Sequence, residues 1–443
     1  MTLAATNPLV EKWSVAFQEL ECLRGPAWLQ ELRETAAGQF AENGLPDRKT
    51  EAWKYTPMRF LENLDPSPVT GDGKDSRSAA FPGPVSGGVE GVIDVSNGSI
   101  SGNLPTGAAG VSILSLADGV PVFEQRLQRL LDSADIGGTD RAFAALNTAF
   151  LDQGLVIHVD RDVRAGPLLI RWAFSGRSES LLGNFRIFLL LEPGAELSLT
   201  EQFESTVSTS NALNVVMQAE LGEGAGLEHL RVQNESEAAL VFTSTSVTQA
   251  AKSSYSYSGF DLGGGLVRHE LNTELAGRGA RAEIRGAFVL DRKRHVDNHI
   301  SVDHASPGCS STQFFRGVLG GRSRGVFNGR ALIRQGADDS SVRQSNANLL
   351  LSALAEMDSK PELEIYADEV EASHGATVGQ LDEAAVFYLR SRGLSEAQAR
   401  RMLITAFCRA VTDHLEDRAL AERLSVMLDG AMPDGLPGET GEI

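Results

Sequence analysis

Cysteine is scarce in this sequence: Cys22, Cys309 and Cys408 are the only three in 443 residues, and no two of them lie in a CxxC pair. This number and spacing exclude a disulfide framework and a local zinc or iron–sulfur motif, and they suit a reducing cytosol. No apolar run approaches the roughly 18 residues that a membrane-spanning helix needs. The first residues, MTLAATNPLVEKW, lack the basic and apolar regions of a signal peptide. We therefore expect a soluble, cytoplasmic protein with no membrane contact.

Positive charge is also in short supply. The chain has 40 Lys and Arg against 59 Asp and Glu, a formal charge of −19, whereas nucleic-acid binding needs clustered cations that neutralise phosphates. The phosphate-binding motif GxxxxGK[ST] is absent, and the glycine-rich stretch at 320–330 lacks the Lys-Ser/Thr pair that binds phosphate and magnesium. We expect no nucleic-acid partner and no nucleotide site, so any ATP hydrolysis would have to come from a partner protein.

Helical spacing dominates the first part of the chain, which we define as residues 1–135. The large apolar residues of NPLVEKWSVAFQELECL are three and four positions apart and predict one apolar helix face. A Pro-, Gly- and Ser-rich loop follows at 66–90, and a further helix is predicted at 122–134. The region is therefore expected to be mostly helical.

The middle of the chain, residues 136–345, contains short runs of alternating Val, Ile, Leu, Thr and Phe, as in strands. Pairs of small residues separate these runs every 26 to 30 residues: Ala165-Gly166, Gly194-Ala195, Gly224-Ala225, Ala250-Ala251, Gly279-Ala280, Gly308-Cys309 and Gly336-Ala337. Such a period without a helical pattern favours the stacked coils of a β-helix, with small residues at crowded corners. A β-sandwich with evenly spaced strands is the alternative.

Helical patterns return in residues 346–430, for which we predict a C-terminal helical domain. Asp382 is a candidate N-cap for one helix, and a capping box opens the next helix at Ser395. Residues 431–443 are rich in Gly, Pro and acidic side chains, and they predict a disordered tail.

The stretch RHVDNHISVDH at 294–304 contains three histidines and two aspartates. Strand periodicity places His295, Asp297 and His299 on one face, where imidazole and carboxylate groups can bind zinc or iron. The competing interpretation is the polar outer face of an amphipathic strand. A β-helix polysaccharide lyase or hydrolase carries catalytic groups on such a face, but those enzymes are normally secreted and we predict no export signal here.

One further histidine, His374, lies in the stretch DEVEASHGATVGQLDEAAVFYLRSRG at 368–393. We predict that it sits in a short turn between a last strand at 360–370 and the C-terminal helices. A lone loop histidine usually has only a structural role, and spacing alone shows no nucleophile–histidine–acid arrangement. From the residues alone, its function stays open.

Five segments together resemble a known family: RKTEAWKYTP (48–57), SRGVFNGR (323–330), QSNANLLLS (344–352), residues 360–393 and the helix that follows. They are similar to the SufB/SufD family of iron–sulfur cluster assembly scaffolds, over most of the chain and most densely from 295 to 410. The segment that contains Trp53, Lys54 and Tyr55 resembles the SufD branch of that family.

The resemblance implies a mainly β fold, a right-handed parallel β-helix core flanked by N-terminal and C-terminal helical regions. It also implies a non-enzymatic scaffold subunit, with a SufB partner docked through the β-helix and the ATPase SufC bound at the C-terminal helices. The candidates for the SufC contact are Asp382, Tyr388, Arg390, Arg392 and Arg400. A SufB-like homodimeric scaffold is the alternative within the family.

The same resemblance makes His374 similar to the family histidine at the SufB–SufD interface, where a transient iron–sulfur cluster is thought to form. It implies cysteine-derived sulfur delivered through SufB, assistance with iron entry, and a homodimer when partners are absent. Reduced flavin is implied as an electron source for the complex, although we find no flavin motif in the sequence. SufD proteins often carry a cysteine two residues before this histidine, whereas this chain has Ala372. The sulfur ligands would therefore have to come from SufB.

Overall fold

The computed structural model describes residues 7–19, 25–69, 83–96, 99–103, 110–132, 142–173, 180–204 and 210–433. Four predicted features fall wholly or partly outside these ranges: Cys22, residues 70–82 of the loop at 66–90, residues 133–134 of the helix at 122–134, and residues 434–443 of the C-terminal tail. Across the described ranges, none of the helices combines the length and apolar character needed to cross a membrane.

Helices lie before and after the main block of strands. In the described ranges they are α1 (Pro8–Gln18), α2 (Ala27–Asn43), α3 (Arg59–Leu64), α4 (Leu116–Asp132), α5 (Ala142–Ala149), α6 (Glu383–Ser391), α7 (Glu396–Thr412) and α8 (Arg418–Gly430). A 3-10 turn, Glu51–Trp53, lies between α2 and α3. Residues 122–132 of the helix predicted at 122–134 are part of α4, and Ser395 opens α7 with the predicted capping box.

Strands form two ten-stranded sheets. The first sheet contains β1 (Ser67–Pro68), β4 (Val111–Ser115), β5 (Gly154–Val159), β7 (Leu181–Leu191), β9 (Ala212–Leu221), β11 (Leu240–Gln249), β13 (Leu266–Leu275), β15 (His295–His304), β17 (Arg324–Ile333) and β19 (Glu356–Ile365). The second sheet contains β2 (Gly91–Ser96), β3 (Ser99–Asn103), β6 (Arg164–Ala173), β8 (Glu196–Phe203), β10 (Gly226–Gln233), β12 (Ser254–Asp261), β14 (Arg281–Leu290), β16 (Ser310–Leu319), β18 (Ser340–Leu350) and β20 (Val370–Gly379). From β5 onward, consecutive strands alternate between the two sheets.

This alternation winds the chain into a parallel β-solenoid of about seven coils. Each strand from β5 onward pairs in parallel with the strand two places later, so that Leu240 is opposite Leu266, and Leu266 is opposite His295. Side chains that point inward from both sheets, such as Val267 and Ile284, form one continuous core. The predicted parallel β-helix with helical ends is confirmed, and the β-sandwich alternative is wrong.

The small residues lie at one corner of the coils, as the repeat predicts. Gly194, Gly224 and Gly279 have φ angles of +73°, +69° and +73°, a backbone conformation that L side chains rarely adopt. Three pairs lie beside this corner and not at it, because the equivalent left-handed residues of their coils are Asp162, Lys252 and Asp339, with φ angles of +59°, +59° and +58°. These pairs are Ala165-Gly166, which lies within β6, Ala250-Ala251 and Gly336-Ala337. From Gly194 onward, the residue after the left-handed position of this corner is small and buried, so adjacent coils can stack closely.

The solenoid extends beyond the predicted boundary at residue 345. Strands β18, β19 and β20 continue to Gly379, and the first C-terminal helix begins only at Glu383. Residues 346–379 therefore belong to the coils and not to a helical domain. The sequence predicted one strand here, at 360–370, but not its place in the coils, because no other coil in the described ranges stacks on β19 and β20. These two strands therefore lack the alternation of buried and exposed side chains that marks the earlier strands.

The helical ends cover the outer faces of both sheets. On the first sheet, Trp13 of α1 and Phe40 of α2 join an apolar cluster with Phe242 of β11. On the second sheet, Ile404 of α7 and Leu424 of α8 join another cluster with buried residues of the strands beneath them. The C-terminal helices are therefore packed against the solenoid and are not an independent unit.

We expect glycine substitutions at the corners to distinguish backbone strain from steric crowding. In Gly224→Ala the new Cβ meets no atom within 4 Å, so the substitution costs only the strain of a left-handed backbone at a residue with a side chain. This strain should lower the free energy of unfolding by about 1 kcal/mol. Ala at Gly194 should cost more, because the new Cβ also collides with the carboxylate of Asp162. Urea unfolding of both variants measures the difference.

The control is Gly38→Ala in α2, where a Cβ also meets nothing within 4 Å. A mid-helix Gly→Ala change should raise the free energy of unfolding by roughly 0.5–1 kcal/mol. Equal losses at Gly194 and Gly224 would show that Asp162 does not crowd this corner.

Candidate functional site

His374 lies within β20, the last strand of the solenoid, and not in a turn. It is opposite Gln344 of β18, and Ser373 and Gly375 continue the same register. The turn prediction was wrong because Gly375 was interpreted as a turn residue. Parallel pairing with β18 carries the strand through it.

The face of β20 that carries His374 points toward the solenoid axis. His374 and Ala372 are in register with Gln344 and Val342, which are buried in the interior. Within the described residues no coil follows β20, so its side chains are largely exposed. Within the described part of the chain, the His374 ring makes no hydrogen bond or ion pair. His374 is the last residue in a stack of inward-facing side chains that includes Gln313 and Gln344. It is accessible to a partner that binds the end of the solenoid.

The end of the solenoid beside His374 is unprotected. Strands β19 and β20 terminate their sheets, and each pairs along one edge only, which leaves backbone N–H and C=O groups free to pair with another strand. Nearby apolar side chains are exposed, with Tyr366 63% and Leu354 57% accessible. Exposed apolar groups beside an open strand edge are typical of a protein interface.

His295, Asp297 and His299 lie on the outer face of β15, as predicted, but the N-terminal region covers them. The Thr56 hydroxyl donates a hydrogen bond to the Asp297 carboxylate, and its oxygen lies 3.1 Å from Nε2 of His295. Arg268 forms an ion pair with Asp297. His295 and Asp297 are consequently buried.

This cluster forms an ion-pair network. Burial favours a raised pKa for Asp297, but the charges of Arg268 and His299 outweigh this effect and hold the pKa well below its ordinary value. The carboxylate is already paired with a guanidinium. No group of three or more His, Cys, Asp or Glu across the described ranges is arranged to hold a metal ion.

The covering segment, residues 51–56, is fastened by aromatic packing. Trp53 stacks on Phe143 with ring centroids 5.2 Å apart, and the Arg268 guanidinium lies 3.9 Å from the Trp53 ring centroid. A cation over an aromatic face adds about 0.5–2 kcal/mol to such a contact. Residues 51–56 therefore attach the N-terminal region to the solenoid.

A groove of about 840 Å³ lies beside this segment, on the outer face of the first sheet. Its lining carries both acidic and basic side chains, and these pair with one another. Arg330 lies 2.7 Å from Glu364, and Lys360 lies 2.5 Å from Glu362. The groove lies on the first sheet, whereas His374 belongs to the second sheet. The groove is therefore separate from the histidine site.

Two of the C-terminal candidates have structural roles. Asp382 is the N-cap of α6 and accepts a hydrogen bond of 2.9 Å from the Ala384 amide. Arg400 lies 3.0 Å from carboxylate oxygens of both Glu383 and Glu396, so it ties α6 to α7. Removing either side chain would disturb the helices themselves.

The other three candidates, Tyr388, Arg390 and Arg392, are exposed on or next to α6. The Arg392 guanidinium lies 5.2 Å from the Tyr388 ring centroid. Beside them, Phe387 is 72% exposed, and sequence reasoning missed it. The sequence did contain a signal for Phe387, because it is a second large aromatic residue, next to Tyr388, on the polar side of an amphipathic helix. Together these four side chains form an exposed aromatic and basic surface.

Comparison with known proteins adds to this geometry. The family model described as SUF system FeS cluster assembly, SufBD core domain, matches residues 174–407. The chain belongs to the SufBD family. It is 28% identical over 440 residues to iron-sulfur cluster assembly protein SufD of Escherichia coli (strain K12), covering 98% of this chain and 99% of that protein. It is also 27% identical over 417 residues to Protein ABCI7, chloroplastic, of Arabidopsis thaliana, covering 89% of this chain and 84% of that protein.

In this SufBD family chain, the cysteines within the described ranges are poorly suited to bind iron. Cys309 and Cys408 are both buried. Burial raises the pKa of the Cys309 thiol, and it raises the pKa of Cys408 to about 12, whereas the thiolate is the form that binds metals. Strand β20 itself has Ala372 in place of a thiol.

Buried histidines should make the stability of the chain depend on pH. Burial lowers the pKa of His295 and of His304 from 6.5 to about 4. The unfolded chain therefore binds protons more readily than the folded chain, so the free energy of unfolding should fall as the pH drops from 6.5 toward 4. His304→Asn removes one of these groups and should weaken the pH dependence, measured by urea titrations across that window. An unchanged dependence would contradict the burial of a neutral His304.

Proposed function

We propose that this chain is a scaffold subunit of a cytoplasmic iron–sulfur cluster assembly complex. In this proposal it has no catalytic activity of its own, and it associates with SufB and with the ATPase SufC. The observation that carries the proposal is His374, which is exposed on the terminal strand of a solenoid whose end is open. Membership of the SufBD family supports the role in cluster assembly.

The open end is the surface that we assign to SufB. Strands of a second solenoid can extend the free edges of β19 and β20, because backbone hydrogen bonds provide affinity while side-chain contacts provide specificity. Exposed Tyr366 and Leu354 would be buried in that contact. In the absence of SufB, a second copy of this chain can use the same edges to form a homodimer.

A cluster at this interface would take ligands from both subunits. Iron–sulfur clusters are held mainly by thiolates, and β20 offers none because residue 372 is alanine. SufB would supply the thiolates and receive cysteine-derived sulfur, while His374 would contribute a neutral imidazole to the entering iron. Replacing one thiolate by imidazole lowers the negative charge on the cluster, which favours its release. Reduced flavin is proposed as an electron source only for the complex, since the sequence contains no flavin motif.

ATP hydrolysis is assigned to SufC, because this sequence contains no phosphate-binding loop. The surface proposed for SufC is the aromatic and basic one on α6, formed by Phe387, Tyr388, Arg390 and Arg392. Aromatic and arginine side chains are enriched among the residues that dominate binding energy at interfaces. Asp382 and Arg400 would support this surface without contacting the partner.

Replacing His374 by alanine tests the cluster assignment. The side chain is exposed, so the free energy of unfolding should change by no more than about 0.5 kcal/mol, and the complex should still assemble. The cluster content of the anaerobically purified complex should fall sharply because one ligand is lost. Iron and sulfide analysis, together with the visible absorption of the cluster, provides the measurement.

The matched control is His414→Ala, which removes another exposed histidine, near the end of α7. Its complex should load clusters normally. Normal loading in the His374→Ala complex would remove His374 from the site and overturn the proposal as stated.

Replacing Phe387 by alanine tests the SufC surface. Phe387 is 72% exposed, so the chain should fold normally and still associate with SufB. Loss of a dominant interface residue should weaken SufC binding by roughly 2 kcal/mol, or about thirtyfold in Kd. Titration calorimetry with purified SufC measures this effect. Val426→Ala on α8, which is 62% exposed, is the control, and equal SufC affinity in both variants would place the contact elsewhere.

A further inference from the structure

A buried hydrogen-bond acceptor lies next to His374 without a partner. Gln344 of β18 is only 6% exposed, and its Nε2 donates a hydrogen bond of 3.1 Å to the backbone carbonyl of Gly329. A carbonyl oxygen can only accept, so this contact fixes which end of the amide is the nitrogen. The other end, Oε1, is buried and has no hydrogen-bond partner within the described part of the chain.

An unsatisfied buried acceptor is costly, by about 1–3 kcal/mol, so a donor is expected to reach it. The residue in register with Gln344 on the next strand is His374, and neighbouring strands are roughly 4.8 Å apart. Both side chains point toward the solenoid axis. The His374 side chain is exposed, and rotation about its side-chain bonds toward the solenoid axis can bring a ring N–H within reach of Oε1 of Gln344.

We propose that Gln344 is a positioning residue for His374. Its Oε1 accepts one ring N–H of His374, which fixes the imidazole tautomer and leaves the other ring nitrogen unprotonated and directed out of the open end. Metal-binding histidines generally donate their second ring N–H to an oxygen in this way, which sets the ring orientation. Binding of iron by this second ring nitrogen rests on the proposed function, whereas the hydrogen bond between His374 and Gln344 does not.

The solenoid contains a matched control one coil further inside. Gln313 of β16 is 1% exposed, and its Nε2 donates a hydrogen bond of 3.0 Å to the backbone carbonyl of Arg330. Its Oε1 is also buried without a partner in the described ranges. Gln313 is in register with Gln344 and not with His374, so it shares the chemistry of Gln344 but not the proximity to His374.

The test is the tautomer of His374, measured from ring-nitrogen NMR chemical shifts in the 443-residue chain carrying isotope-labelled histidine, at a pH where the ring is neutral. The His374 signals are assigned by their loss in His374→Ala. One tautomer should dominate in the unmodified chain and in Gln313→Leu, whereas Gln344→Leu should release a mixture of both. An unchanged tautomer ratio in Gln344→Leu would overturn the proposal.

A second pair of variants keeps the test valid if Gln344→Leu fails to fold. Gln344→Glu places a carboxylate beside His374, which should retain the single tautomer and move the titration midpoint of His374 to higher pH. Gln313→Glu should leave that midpoint unchanged. Equal midpoints in the two variants would also overturn the proposal. Neither NMR measurement requires a cluster. The test of the hydrogen bond can therefore fail or succeed independently of the cluster-loading test in His374→Ala.

Discussion

Parallel, in-register pairing between successive coils is the interaction on which the rest of this structure depends. Each inner strand of the solenoid satisfies its backbone groups on both edges, and each inward side chain stacks on the equivalent residue of the next coil. The coils turn at left-handed corners such as Gly194, Gly224 and Gly279, where glycine adopts a backbone conformation that L side chains rarely take.

The same pairing creates the candidate site, because it has to stop somewhere. At the N-terminal side, antiparallel pairing of β2 with β3 and of β4 with β5 ends the two sheets. At the C-terminal side, nothing within the described residues pairs with the outer edges of β19 and β20. The counterparts of His374 in earlier coils are buried because another coil stacks on them. His374 lies on the last strand of its sheet, so it is exposed. A residue of interior type at an open end is suited to a site that a partner completes.

The polar side chains of the outer faces have a different role. Arg268, Asp297 and Thr56 form a buried network under the N-terminal segment, and Arg400 joins α6 to α7. Such networks order the elements around the solenoid, and breaking one partner would leave a buried charge unpaired. They account for the histidine-rich stretch at 294–304 without a metal ion.

Much of the fold was predictable from the sequence because it rests on local repetition. The recurring small pairs indicated stacked coils, and the capping residues Asp382 and Ser395 marked two helix starts that the structure contains. The family resemblance likewise singled out His374. The end of the coils was not predictable in the same way, because terminal strands lack a neighbour and lose the alternation that identifies inner strands.

By itself, the sequence determined the parallel β-helix, the helical ends and the membership of the SufBD family, since each of these depends on residue spacing or on motifs along the chain. Only the tertiary structure decided that His374 belongs to a strand, that Gln344 lies opposite it with a free carbonyl oxygen, and that His295 and Asp297 are covered. Those facts join residues about 30 to 240 positions apart. These contacts depend on the register between coils and on where the N-terminal segment packs. The sequence does not reveal them, because neither feature leaves a periodic pattern in the chain.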